Sequence, residues 1–159
     1  MDHTKTIDDG FFLNLDRDLK NAGSTYTSLL VFDKQNNVIS SKSNNPDWVH
    51  EFTSSGLYKD CYLLKAAHEK ISTENVSSFC LAWDFYSPQT EKEKELEDIR
   101  KEKDISHGVG FCLKFDELTL MLNVAGKYSD INFGYNILKH RADMYKSLRS
   151  FFIKNSVVR

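Results

Sequence analysis

The chain has 159 residues, which is the length of one ordinary domain and is enough to bury a hydrophobic core. Its hydrophobic fraction of 40% and charged fraction of 28% are typical of soluble globular proteins. The formal net charge of −2, without a basic stripe, argues against direct binding of nucleic acid by this segment. We therefore predict a single domain over residues 1–159.

The cysteines and the N-terminus indicate the compartment. The chain has an odd number of cysteines, namely Cys61, Cys80 and Cys112. They lack Cys-x-x-Cys spacing and lie in apolar stretches, which is typical of reduced thiols. The N-terminus leads into acidic residues without an apolar core, unlike a signal peptide. No window approaches the ~18 consecutive apolar residues of a membrane span. We expect a cytoplasmic protein that does not bind membranes.

The first part of the chain predicts a helix followed by a β-hairpin. Asp8 and Asp9 can cap a helix whose apolar residues recur at helical spacing until Gly23 ends it. Residues 27–32 and 38–42 are then typical of strands. The polar residues between them tolerate the positive φ angles of a tight turn, so the two strands are expected to pair.

Two helices and an extended segment are predicted next. Pro46 opens a short helix that carries Trp48 and Phe52, which are four residues apart and therefore on one face. A second helix is expected from about residue 59 to residue 69, with its own apolar stripe. Residues 78–83 are mostly apolar and predict a strand.

The second half predicts a charged helix, a second hairpin and a final helix. Residues 88–104 have a narrow apolar stripe among many charges, which is typical of a solvated helix. Apolar residues alternate over 109–115 and 118–124 around a two-residue turn, and this is the clearest hairpin in the sequence. One long amphipathic helix to the C-terminus is marked by Phe133, Ile137, Met144, Leu148 and Phe152.

This order of elements predicts an α+β fold, in which a central antiparallel five-stranded sheet carries helices on both faces. The second face of the late hairpin consists of small or flexible residues, namely Gly108, Gly110, Cys112, Thr119, Met121, Asn123 and Ala125. Such a face packs against a helix only if something fills the space between them. Large side chains or a ligand could do so, and the pattern leaves both possibilities open.

The sequence contains no recognisable catalytic, metal-binding or cofactor-binding motif. The five histidines are scattered, and none pairs at i, i+4 or stands beside a Cys-x-x-Cys. There is no Gly-x-Ser-x-Gly elbow and no glycine-rich phosphate loop. Cys112 and His107 are five residues apart on a predicted strand, which places them on opposite faces. We expect no enzyme activity, no metal and no cofactor.

A set of aromatic and acidic residues suggests recognition instead. Trp48 and Phe52 share a helical face, Asp60 begins the next predicted helix, and Trp83 ends an apolar strand. Each has an ordinary structural explanation, because Asp is a frequent helix cap and Trp is often part of the core. A buried indole N–H nevertheless needs a partner, and both tryptophans of the chain belong to this set.

At these residues the chain resembles the autoinducer-binding domain of LuxR-type quorum-sensing regulators. The family pattern is Trp-x3-Tyr, then Asp-Pro, then a Trp, then Arg/Ser-x-Gly ahead of a β-hairpin. The corresponding residues here are Trp48 with Phe52, Asp60 with Cys61, Trp83, and the segment 106–108, Ser-His-Gly. The order and the approximate spacing hold from the first helix to the last.

The resemblance implies an α/β/α sandwich, similar to GAF and PAS sensors, that encloses an N-acyl-homoserine lactone. It implies that Trp48 donates its indole N–H to the lactone carbonyl, that Asp60 accepts the amide N–H, and that Trp83 packs on the lactone ring. Phe52 takes the place of a tyrosine whose hydroxyl reaches the acyl carbonyl.

Further ligand contacts are implied at Ser28, Asn123 and Gly108. The candidates for the wall around the acyl chain, which could equally be core, are Leu29, Leu30, Tyr62, Phe79, Phe111 and Met121.

The chain departs from the family pattern in four ways, one of which is a spacing from Phe52 to Asp60 that is one residue short. Phe52 lacks the hydroxyl, and Cys61 replaces the usual proline, which suggests a weaker lactone complex or a different ligand. The helix-turn-helix domain of the family regulators is not among the 159 residues. The last helix would then serve as a dimer contact, with a second copy or with a full-length regulator that the chain could inhibit. The alternatives are a domain that dimerises without a ligand and a GAF- or PAS-like sensor of another ligand.

Overall fold

The structure, a computed structural model, describes residues 7–73 and 76–156, with side chains up to residue 151. The strands are β1 (Ser24–Phe32), β2 (Val38–Ser43), β3 (Ser78–Ala82), β4 (Ser106–Phe115) and β5 (Leu118–Gly126). The helices are α1 (Asp9–Asn21), α2 (Pro46–Ser54), α3 (Tyr62–Thr73), α4 (Glu91–Glu102), α5 (Phe133–Leu138) and α6 (Arg141–Ser156). Two short 3₁₀ turns cover Leu57–Asp60 and Trp83–Phe85.

The strands form one five-stranded sheet in the order β2-β1-β5-β4-β3, and all neighbouring pairs are antiparallel. This confirms the α+β fold and both predicted hairpins. In the first hairpin, the Asp33 carboxylate accepts the backbone N–H groups of Gln35 and Asn37, each at 2.9 Å, and Asn36 has a φ of 65°. In the second, Asp116 takes the positive φ of 58° that the tight turn requires.

One face of the sheet carries the main hydrophobic core, which α1, α5 and α6 cover. Its residues from the last two strands are the alternating apolar ones, namely Val109, Phe111, Leu113, Leu118, Leu120, Leu122 and Val124. The other face is covered by α2, α3 and α4, and it carries the small and flexible residues of the same strands. Helices therefore lie on both faces, and the strict alternation of side chains along a strand separates the two environments.

Capping residues fix the start of the helix that carries two candidate site residues. Asn45 precedes α2, and its Oδ1 accepts the backbone N–H of Trp48 at 3.2 Å. Pro46 follows at the first helical position, where its missing N–H costs nothing. This start, together with the four-residue spacing, holds Trp48 and Phe52 side by side, with ring centroids 5.8 Å apart.

Two of the predicted helices differ from the structure. The helix expected from about residue 59 begins only at Tyr62, after the 3₁₀ turn Leu57–Asp60, so Asp60 does not begin it. The single C-terminal helix is divided into α5 and α6, because the chain turns at Lys139 and His140 and thereby brings both pieces onto the main core. The side chain of Phe152 lies outside the described residues. Of the helices in the described part of the chain, none has the length and apolar character needed to cross a membrane.

Candidate ligand-binding site

A cavity of about 70 Å³ lies between the sheet and the layer formed by α2, α3 and α4. Its floor consists of strand residues, namely Tyr26, Ser28, Leu30, Leu81, Gly110, Cys112, Met121 and Asn123. Its roof and ends consist mainly of aromatic and aliphatic residues, which include Trp48, Val49, Phe52, Leu63, Leu64, Ala67, Trp83 and Ile105. The space exceeds the ~10–15 Å³ that one water needs several times over. The small-residue face of the late hairpin is therefore not completely filled by side chains.

The strand register divides the floor of the cavity into a polar and an apolar row. Ser28 pairs with Asn123, which pairs with Gly110, and the Asn123 Nδ2 donates to the Ser28 Oγ at 3.4 Å. Two residues further along each strand, Leu30 pairs with Met121, which pairs with Cys112. A ligand lying along the strands would thus meet hydrogen-bonding groups at one end and apolar groups at the other.

Gly108 acts as the support for Trp83. The indole lies so close to the Gly108 backbone that a Cβ atom at residue 108 would come within 2.6 Å of the ring. Gly108 does not itself line the cavity, whereas Trp83 does. In the structure Gly108 contacts Trp83, because the indole occupies the space that a side chain at residue 108 would need, and its contact with a ligand stays a prediction.

Asp60 is, besides Gly108, a predicted site residue that does not line the cavity. It lies half-buried at the end of the 3₁₀ turn, and it is not among the lining residues. The next residue, Cys61, is buried and does line the cavity. Neighbouring side chains leave the backbone in different directions, so the turn that aims Cys61 inward aims Asp60 elsewhere.

The predicted acyl-chain wall is only partly at the cavity. Leu30 and Met121 line it, and Phe79 packs beside them without lining it. Leu29 and Phe111 belong to the main core on the opposite face, so for these two the core interpretation is correct. Tyr62 instead lines an outer cleft of about 250 Å³, which also contains Glu97 and His107 and shares Leu63, Trp83, Arg100 and Ile105 with the cavity.

Arg100 is a lining residue that the sequence pattern did not indicate, because α4 looked like a solvated helix. Its side chain is only 5% exposed and belongs to the walls of both the cavity and the outer cleft. The guanidinium donates to the Cys61 Sγ at 3.7 Å and lies 5.7 Å from the ring centroids of Tyr62 and of Trp83. A signal was present in the sequence: Arg100 stands four residues after the buried Leu96 and so shares its face of the helix.

No carboxylate neutralises Arg100 within the described part of the chain. None of the ion pairs between described residues includes it, and the residues that line the cavity include no Asp or Glu. Glu97 lies three residues before it, but this carboxylate accepts the Tyr62 hydroxyl at 2.8 Å and lies 3.8 Å from the Lys101 Nζ. Burial and the Glu97 carboxylate hold the pKa of Tyr62 well above its usual range, and Arg100 opposes them.

Tyr26 is a second polar residue of the cavity that the sequence pattern did not indicate. It is buried beside Ser28 at the floor. Burial raises the pKa of its hydroxyl, while hydrogen bonds to Ser28 and Ser43 and the nearby charge of Arg100 oppose the rise. Tyr26 therefore stays a neutral hydroxyl that can donate or accept a hydrogen bond.

The thiols and histidines form no reactive group in the described residues. Burial raises the pKa of the Cys112 thiol far above its usual range, which keeps it protonated. The His107 imidazole is held elsewhere, with Nδ1 2.9 Å from the Asp84 carboxylate and Nε2 2.8 Å from the Tyr128 carbonyl oxygen. Across residues 7–73 and 76–156, no three His, Cys, Asp or Glu side chains come together as metal ligands.

Comparison with known proteins finds similarity in structure and not in sequence. No protein-family model and no curated protein sequence matches the chain. Among solved structures, Escherichia coli SdiA matches with a TM-score of 0.62 and 14% identity over 92% of this chain and 60% of SdiA. SdiA in complex with octanoyl-rac-glycerol matches with a TM-score of 0.56 and 16% identity over 74% of this chain and 46% of that one.

A third match is CepR2 from Burkholderia cenocepacia, described as an N-acylhomoserine lactone dependent LuxR family transcription factor. Its TM-score is 0.62 at 13% identity, over 89% of this chain and 79% of CepR2. This chain spans about three fifths of the length of SdiA. At such low identity the likeness is one of fold. The protein has the fold of the LuxR-family autoinducer-binding domain.

Proposed function

We propose that the chain is the small-molecule sensor domain of a LuxR-type quorum-sensing transcriptional regulator, and that it binds an N-acyl-homoserine lactone or a related acyl signal. One observation carries the proposal: Trp48, Phe52, Trp83, Ser28 and Asn123 surround a single cavity in a domain of this fold. The resemblance implies ligand contacts at seven residues, and these five of the seven line the cavity, whereas Asp60 and Gly108 do not.

The polarity of the cavity fits an amphipathic ligand with a polar head and an acyl chain. Trp48 and the row formed by Ser28 and Asn123 supply hydrogen-bonding groups for a head group, and Trp83 supplies a flat surface for it. The row formed by Leu30 and Met121 supplies apolar surface for the chain. Sites for small molecules commonly combine a mostly apolar wall with a few polar groups in this way.

The structural neighbours support an acyl ligand. CepR2 is described as dependent on N-acylhomoserine lactone, and one SdiA structure is a complex with octanoyl-rac-glycerol. The two compounds have different heads, and both carry an acyl group. We extend only this shared feature to the present chain.

The departures from the family pattern change which residues we expect to hydrogen-bond the ligand. Phe52 cannot supply a hydroxyl, and the absence of one neutral hydrogen bond costs ~0.5–1.5 kcal/mol. Asp60 does not line the cavity, so we do not assign it the amide contact. Tyr26, which does line it, carries a neutral hydroxyl that could take a polar contact near the head.

The proposal includes a cytoplasmic location, no enzyme activity and no resident cofactor. It also includes assembly through α6 with a second copy or with a full-length regulator, because several residues along the outer side of this helix are exposed. Light scattering after size-exclusion chromatography tests the assembly. A mass near twice 18.4 kDa is expected for a homodimer, and a mass of one chain with and without ligand would contradict it.

Thermal unfolding with a panel of acyl-homoserine lactones of different chain lengths tests the sensor proposal. A ligand present at about 100 times its dissociation constant adds ~2.7 kcal/mol, which raises the melting temperature by several degrees. Both tryptophans line the cavity, so intrinsic fluorescence gives a second, independent readout. No change in either measurement with any acyl compound would overturn the proposal.

Two matched pairs of variants connect binding to the cavity. Met121→Phe fills the cavity and should weaken binding most for long chains, whereas Met144→Phe on the opposite face of the sheet should leave it unchanged. Trp48→Ala should weaken binding, whereas Asp60→Ala should not, since only Trp48 lines the cavity. Equal effects within each pair would place the binding site elsewhere.

A further inference from the structure

We propose that the cavity selects an acyl ligand with a carboxylate head, and that Arg100 is the residue that binds this carboxylate. The inference rests on the proposed function and specifies its ligand. It starts from the charge of the cavity: Arg100 lines it while only 5% exposed, and among the described residues no acidic side chain lines it.

The buried guanidinium has unused hydrogen-bonding capacity. It carries five N–H donors, whereas its partners are the Cys61 sulfur at 3.7 Å, which is a weak acceptor, and the Tyr62 hydroxyl. The rings of Tyr62 and Trp83 attract the positive charge, but they do not replace an acceptor in the plane of the guanidinium. A buried charge without a counter-ion is unfavourable, and a bound carboxylate would compensate it.

The nearest acidic group does not fulfil this role. Glu97 stands three residues before Arg100 on the same helix, yet its carboxylate is engaged by the Tyr62 hydroxyl and lies near Lys101. It lines the outer cleft and not the cavity. Within residues 7–73 and 76–151, the cavity side of Arg100 therefore faces apolar and neutral polar groups.

The position of Arg100 fixes the orientation of the ligand. Arg100 belongs to the wall that the cavity shares with the outer cleft, together with Trp83 and Ile105. The charge of Arg100 also acts on the Tyr26 hydroxyl. Tyr26 lies at one end of the floor, next to the polar row of Ser28 and Asn123, and the apolar row of Leu30 and Met121 follows beyond it. A carboxylate on Arg100 would thus leave the acyl chain to run over Ser28 and Asn123 towards Leu30.

The geometry of the partner groups favours a carboxylate over a lactone. A guanidinium offers two parallel N–H donors that match the two oxygens of a carboxylate, and such pairs are stronger than bonds to a neutral carbonyl. Asp60, the acidic residue expected at the head of a lactone ligand, is not at the cavity, and the charged side chain that does line it is the Arg100 cation. The shared chemistry of the expected ligands is an acyl chain that ends in a carboxylate, from a fatty acid or from an N-acyl amino acid.

Equilibrium titration of the 159-residue protein with three probes tests the inference. The probes are sodium decanoate, N-decanoyl-homoserine with an open ring, and N-decanoyl-homoserine lactone, and tryptophan fluorescence reports binding. We expect at least one of the two carboxylates to bind about tenfold or more tightly than the lactone, a difference of ~1.4 kcal/mol. The preferred carboxylate distinguishes a fatty acid from an N-acyl amino acid.

Variants at Arg100 separate the charge from the shape of the site. Arg100→Met should weaken carboxylate binding at least about tenfold, weaken lactone binding by clearly less, and raise the melting temperature of the free protein because an unpaired buried charge is removed. Lys101→Gln removes a positive charge from the next position, which does not line the cavity, and should leave the binding of all three probes unchanged. If Arg100→Met does not fold, Arg100→Lys keeps the charge without the paired donors and should show a smaller loss.

The outcomes distinguish the two proposals. Lactone binding that is tighter than carboxylate binding, or carboxylate binding that survives Arg100→Met, would overturn the role of Arg100 and leave the sensor proposal standing. Failure of all three probes to bind would overturn both.

Discussion

The indole of Trp83 lies directly on the backbone of Gly108, at a separation that leaves no room for a Cβ atom. Strand β4 thereby holds Trp83, which directly follows β3. This contact sets the position of the cavity wall that Trp83 forms. Glycine is needed at residue 108 for the close approach of the ring, and no unusual backbone angle is involved.

Gly108→Ala should therefore displace Trp83 and destabilise the domain. A Cβ at this position would meet the ring at 2.6 Å, and overpacking of this kind costs ~1–3 kcal/mol. Denaturant unfolding gives the stability change, and the tryptophan emission maximum reports the displacement. Gly110→Ala in the same strand is the control, because its Cβ would meet the Asn123 Oδ1 at 3.2 Å and no indole. An unchanged emission maximum in Gly108→Ala would contradict the prediction.

Met121 and Leu122 are neighbours in β5 that face different environments, so truncating them should have different effects. Leu122 is fully buried in the main core, and Leu122→Ala should cost ~2–5 kcal/mol without affecting ligand binding beyond the loss of stability. Met121 lines an existing cavity, so Met121→Ala should cost less and shift the preference towards longer acyl chains. Chemical denaturation and titration with ligands of increasing length measure the two effects. The opposite order of stability losses would mean that the assigned faces are wrong.

Asn45 should contribute measurably to the stability of α2. Its side chain accepts the N–H of Trp48, and loss of such a cap costs ~0.5–2 kcal/mol, so Asn45→Ala should destabilise the domain by that amount. Asn132 precedes α5 without making a side-chain cap bond, and Asn132→Ala is therefore a control that should have little effect. Thermal unfolding of the two variants tests the difference. A weaker ligand affinity is also expected for Asn45→Ala, because α2 carries Trp48.

The pKa of His68 should lie below the ordinary histidine value of 6.5, and the pKa of His107 should lie above it. Burial lowers the pKa of His68, whose Nε2 has no hydrogen-bond partner among the described residues. Burial acts in the same direction on His107, but the Tyr128 carbonyl and the Asp84 carboxylate outweigh it and raise the pKa. NMR titration measures both values. Asp84→Asn should lower the pKa of His107 and leave that of His68 unchanged.

The two histidines also predict opposite effects of pH on stability. For His107, the folded state binds the proton more tightly, so its contribution is full below pH 6.5 and is lost as the pH rises through the folded pKa. For His68, the unfolded state binds the proton more tightly, so stability is lost as the pH falls through 6.5. His68→Gln should therefore reduce the loss of stability between about pH 7 and about pH 5, and an unchanged loss would contradict the assignment.

The sequence by itself determined the strands and the two faces of the sheet. Strict alternation over β4 and β5 placed Leu122 in the core and Met121 on the opposite face, because successive side chains of a strand point to opposite sides. The four-residue spacing of Trp48 and Phe52 likewise placed both on one side of α2. Local rules of this kind depend only on residues that are close in the chain.

The tertiary structure alone decided which residues meet at the cavity. Asp60 and Cys61 are adjacent in sequence, and only the path of the turn before α3 determines that Cys61 lies inside. Arg100 looked like one charge among many on α4, and it is buried because Trp83 and Tyr62, from distant segments, enclose it. The spacing from Leu96 places Arg100 on the buried side of α4, but only the long-range packing of three separate segments brings its guanidinium to the cavity wall.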